Sequence, residues 1–93
     1  MLQLEFTVEP FVEGHPGPHV TLAVAAAEAS GGAVEFGPFG STCTAPAEAM
    51  PLVVAELVRA AFANGASHVN LHIFSAGVEG VESGADSSAD GDR

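Results

Sequence analysis

Glu5, Thr7 and Glu9 stand two residues apart near the start of the chain, and Asn70, His72 and Phe74 repeat that spacing further on. Between them, Ser41, Thr42, Cys43 and Thr44 follow directly on a Gly-Pro-Phe-Gly turn at residues 37–40. In extended chain, residues two apart share a face. These stretches therefore offer surfaces of carboxylates, hydroxyls, an amide and an imidazole. The chemistry of such a surface is recognition: negative charge draws a cation, while hydroxyl and amide groups give and take hydrogen bonds. A plain solvated strand face is the competing reading of Glu5, Thr7 and Glu9.

Readings that require bond-making chemistry find less support. His15 and His19 have the i, i+4 spacing of a metal pair, but Pro16, Gly17 and Pro18 between them prevent a common helical face. His68 and His72 share a strand face, yet four residues of strand separate them by about 13 Å, too far for one ion. Loop residues Glu9, Glu13 and His15 form the remaining metal alternative. Cys43 has no base beside it in the sequence and reads as a small buried filler. There is no phosphate loop, no GxSxG elbow and no dinucleotide fingerprint. The expectation is a non-enzyme with no catalytic residue, no metal and no cofactor.

Totals narrow the partners. The chain has 93 residues, enough for one small domain with a thin core, so a second subunit is the expected support. A single cysteine excludes an internal disulfide and a cysteine-rich zinc site. Twelve acids face two arginines and no lysine, a net charge of −10. Nucleic acid and anionic membrane surfaces both need basic residues, so neither is an expected partner. The excess acid favours a cationic ligand, or else serves solubility alone. Met1 leads straight into an alternating pattern without a secretory leader, and the expected location is cytoplasmic.

These side chains are positioned by a legible series of elements. Leu2, Leu4, Phe6 and Val8 alternate with Gln3, Glu5, Thr7 and Glu9, which predicts a half-buried strand ended by Pro10. Pro18 opens a helix with Val20, Ala23, Val24 and Ala27 on one stripe, stopped at Gly31-Gly32. Residues 33–36 form a second strand, and a third runs from the turn through Thr44. A second helix follows with Pro46 near its first turn and Met50, Val54, Leu57, Val58, Ala61 and Phe62 on its buried face. Pro51 kinks its first turn or delays its start. Asn64-Gly65 ends it, and Val69, Leu71 and Ile73 alternate with Asn70, His72 and Phe74 in a last strand.

The order βαββαβ predicts an α+β fold, the ferredoxin-like sandwich, with an antiparallel sheet and two helices on one face. The domain covers residues 1–76. Residues 77–93 hold five acids and two valines and read as an acidic disordered tail. The uncovered sheet face then presents Gln3, Glu5, Thr7, Glu9, Glu35, Asn70, His72 and Phe74. The third strand adds Ser41 and Cys43 or Thr42 and Thr44, depending on register. Phe39 at the turn tip either stacks on a ligand ring or packs into a partner subunit.

Three stretches, EFTVEPF, GPFGSTCT and ELVRAAFANGASHVNLHIFSAG, taken in order, resemble the thiamine-binding-like family of the YkoF type. The resemblance covers residues 2–76. It implies a ferredoxin-like fold whose sheets pack back to back in dimers, often paired again as tetramers. It also implies binding of thiamine or its hydroxymethylpyrimidine half, with no reaction catalysed. Thr7 matches the family's polar strand residue, and Gly40 and Ser41 match the step after its turn. The open face adds Glu9, Phe39, Asn70 and His72 as ligand-binding candidates. The third strand departs from the family pattern, with TCTAP where relatives carry Val or Ile and a Gly-acid step. The rival reading is a structural domain that self-associates through this face and binds no vitamin.

Overall fold

An apolar residue at every second position makes the first segment a strand with one dry face. In the structure, a computed structural model describing residues 1–10, 16–37 and 40–75, that segment is β1 (Leu2–Glu9). It is followed by α1 (Pro18–Ala29), β2 (Ala33–Gly37), β3 (Gly40–Ala45), α2 (Met50–Ala63) and β4 (His68–Ser75). The strands form one antiparallel sheet in the order β2-β3-β1-β4. This is the ferredoxin-like α+β architecture that the element order predicts, with both helices against one sheet face. The proposed tail at 77–93 lies outside the described residues, as do Phe39, Glu13 and His15.

The core lies between β1, β3 and the helices. Leu4, Phe6 and Val8 point into it with Cys43 and Ala45, and meet Ala23, Val24 and Ala27 of α1 and Met50, Val53 and Leu57 of α2. Small residues dominate α1, which lets the helices approach each other and the sheet closely. Gly32, between α1 and β2, sits at one such close contact. A Cβ there would stand 2.4 Å from the Cys43 sulfur and 3.1 Å from the Ala27 carbonyl oxygen.

Two expectations for α2 need correction. It begins at Met50, beyond Pro46, and Pro51 sits in its first turn, where the missing amide hydrogen has no helical partner to lose. A late start thus accommodates Pro51. Its buried residues are Met50, Val53, Leu57, Ala60 and Ala61. Val54 and Val58 are only partly buried, and Phe62 is 50% exposed. The small side chains of Ala60 and Ala61 turn inward, and Phe62 stays outside.

The helices cover the sheet unevenly. Leu4 on β1 is fully buried, but its register partner on β4, Ile73, is 45% exposed on the same face. Phe6 is 4% exposed, and its partner Leu71 is 38% exposed. Helix packing centres on β1 and β3 and leaves the β4 edge bare.

Gly32→Ala should destabilise the fold by about 1–3 kcal/mol, because neither neighbouring atom has room to give. Combining it with Cys43→Ala, which removes the sulfur from the clash, should recover part of that loss. The two effects are separable by thermal melts of the single and double variants.

Candidate functional site

Register decides what each strand contributes to the open face. Leu4 pairs with Cys43 and Phe6 with Ser41, so Cys43 and Ser41 lie on the helix side. Glu5 pairs with Thr42 and Gln3 with Thr44, so Thr42 and Thr44 join the open face. Of the two registers open to the sequence, this is the one that buries Cys43, which is 1% exposed.

The open face is built in rows across the sheet. One row runs from His72 through Glu5 and Thr42 to Glu35. Another holds Phe74, Gln3, Thr44 and Ala33. At the end nearer the β2–β3 turn, Asn70 pairs with Thr7 and donates a hydrogen bond from Nδ2 to Thr7 Oγ1 at 3.2 Å. Gly40 lies directly beside Thr7. A Cβ at Gly40 would stand 3.3 Å from Thr7 Cγ2 and 3.3 Å from the Phe6 carbonyl oxygen. Gly40 also has φ +154°, a conformation that favours glycine. Gly40 thus lets the Thr7 methyl close against β3, and one row over Thr42 lies between Glu5 and Glu35.

Beyond Thr7, Glu9 pairs with His68. Glu9 Oε1 is 3.9 Å from His68 Nδ1, which lies 2.9 Å from Ser67 Oγ. Ser67 also donates its backbone N–H to the Glu9 carbonyl oxygen at 2.7 Å. Serine and carboxylate thus approach the same imidazole nitrogen, so the trio lacks the relay geometry of a nucleophile, a base and an orienting acid. His72 lies with its ring centroid 5.3 Å from that of Phe74, inclined at 40°.

Of the residues expected to bind ligand, Thr7, Gly40 and Asn70 come together, with His72 in the neighbouring row and Glu9 at the end of the strand. Ser41 stands apart from them, because its side chain belongs to the helix side opposite Phe6 and Phe36. Phe39 lies outside the described residues. Thr42 is the residue that sequence reasoning did not select. Glu5 and Glu35 were visible from alternation, but placing Thr42 between them requires the pairing of β3.

Among the described residues no three His, Cys, Asp or Glu side chains gather with metal-ligand geometry. The Cys43 thiol is buried. Its pKa is raised, first by burial and then by the negative charge of Glu28, with a backbone hydrogen bond at Ala33 opposing. Both leading effects disfavour the thiolate that a nucleophile needs. Among the described residues no helix is long and apolar enough to cross a membrane.

Thr7→Val should remove the acceptor for Asn70 at little cost to stability, within about 1 kcal/mol, because the bond is exposed to solvent. A melt that matches wild type would make this variant a clean probe of the site. The raised Cys43 pKa has a signed consequence. In the unfolded chain the thiol ionises at its ordinary pKa, while the folded chain holds its proton to higher pH. This contribution to stability is therefore complete below the unfolded pKa and falls as pH rises through the alkaline range. Denaturation of wild type and Cys43→Ala from pH 7 to 10 should show a steeper decline in wild type.

No family model matches the chain. A search of curated proteins likewise finds no match. A solved structure described as a domain of unknown function, DUF77, from Bacillus cereus is similar in fold, with a TM-score of 0.56 and 23% sequence identity. The match covers 78% of this chain and 71% of that one. The likeness establishes a shared ferredoxin-like fold.

Proposed function

We propose that this protein is a non-catalytic binding protein for thiamine or its hydroxymethylpyrimidine half, acting in salvage, transport or buffering in the cytoplasm. The observation that carries the reading is the pair of adjoining rows on the open face. Gly40 lies against Thr7, which accepts a hydrogen bond from Asn70 on its other side, and next to it on β3 Thr42 is flanked by Glu5 and Glu35. Thiamine joins a cationic thiazolium to an aminopyrimidine. Two carboxylates favour the cation, hydroxyls and the amide suit the pyrimidine amine and ring nitrogens, and a flat strand surface of small side chains suits a planar ring. His72 and Phe74 supply an aromatic border on the same face. The resemblance of residues 2–76 to the thiamine-binding-like family supports the same ligand.

The rival role, self-association through this face alone, draws support from its openness among the described residues. A charged row of Glu5 and Glu35 argues against it, because back-to-back packing would bring unpaired carboxylates of two copies together.

A thermal melt with excess thiamine, hydroxymethylpyrimidine or thiamine diphosphate tests the proposal. Ligand at 100 times its Kd stabilises the folded state by about 2.7 kcal/mol. For a domain of this size the midpoint should rise on the order of 10 °C. The shift should occur with thiamine or the pyrimidine, be smaller with the anionic diphosphate, and largely vanish in Thr7→Val/Thr42→Val. No shift with any of the three would remove vitamin binding and leave the self-association reading.

A further inference from the structure

The two edges of the sheet are built differently. β2 is five residues long and carries Glu35 at its middle, the kind of charge that keeps an edge from pairing with another chain. β4 is eight residues long, HVNLHIFS, with no Asp, Glu, Lys, Pro or Gly to guard it. It is the outermost strand on its side, and among the described residues nothing pairs with its outer edge. Its helix-side residues Leu71 and Ile73 are large, apolar and 38% and 45% exposed. Charge points to the same place. At −10, copies of this chain repel one another overall. Residues 57–78 contain no carboxylate, and Arg59 is their one formal charge.

We propose that β4 is the seam of a homodimer, pairing antiparallel with β4 of a second copy to make one continuous eight-stranded sheet. The second copy is the favoured occupant because an antiparallel edge is complementary to itself about a two-fold axis. The seam carries no charge that duplication would place against itself. Matching of side chains selects the register. With the axis at Leu71, Leu71 faces its own copy, and Val69 faces Ile73 in both directions, so every apolar residue on the helix side meets another. On the opposite side His72 faces Asn70. Moving the axis to His72 would set the two imidazoles against each other and leave Val69 opposite Ser75. The seam is an edge, separate from the open face on which the ligand reading rests, and it leaves Thr7, Thr42 and Gly40 uncovered.

Sedimentation equilibrium of the full chain tests this, with Leu71→Glu placing like charges face to face at the axis. Leu22→Glu is the control, with the same charge change at a residue of α1 that is 46% exposed. Wild type and Leu22→Glu should sediment at twice the chain mass, and Leu71→Glu at one chain mass with an unaltered far-ultraviolet spectrum. A monomeric wild type at 100 µM, or a dimer that persists in folded Leu71→Glu, would overturn the seam. Hydrogen exchange on wild type decides independently should Leu71→Glu not fold. Amides of β4 should gain protection as concentration rises while those of β2 do not, and protection gained on β2 alone would also overturn it. Sedimentation and exchange need no ligand, so they and the vitamin melts can succeed or fail separately.

Discussion

The alternation of β1 is the constraint on which the rest of the structure depends. This strand is paired on both sides, with β3 and β4, and its side chains alternate between a dry face and a wet one. Leu4, Phe6 and Val8 must be buried, so Gln3, Glu5, Thr7 and Glu9 must face away from the helices. A slip of one residue would put Glu5 and Thr7 in the core at a cost of several kcal/mol for each unpaired polar group. Register is therefore fixed at the centre and transmitted outward to β3, β4 and, through β3, to β2.

That transmission turns scattered polar residues into a surface. Glu5 and Glu35 are thirty positions apart in the chain but lie in one row, joined through Thr42. Asn70 reaches Thr7 across sixty-three positions. The hydroxyl residues after the turn divide by face. Thr42 and Thr44 stay in the open, while Ser41 and Cys43 turn inward, where Cys43 fits under the close approach of Gly32. Small residues on a central strand thus serve two ends, a tight helix contact on one side and a polar, low-relief surface on the other.

Helix placement explains the remaining asymmetry. The alanine-rich inner faces of α1 and α2 nest over β1 and β3, and this geometry leaves the inner side of β4 uncovered. Leu71 and Ile73 remain exposed because neither α1 nor α2 covers them. The bare edge follows from the same close packing that makes the small core dense.

By itself the sequence determined the order of elements, the inward and outward faces of β1 and β4, and the acidic, polar character of the open face. These follow from period-two and helical patterning and from charge, which are local properties that survive in one dimension. Tertiary structure alone decided the face of each residue in β3, because four consecutive small residues carry no alternation to read. It alone set Gly40 beside Thr7 and removed Ser41 from that group. It alone rotated α2 so that Ala60 is buried and Phe62 exposed, since hydrophobicity favours Phe62 and only the packed neighbours decide which side chain fits inside. The bareness of β4 belongs to the same class, for burial depends on what the helices reach, and no strand's own residues encode that.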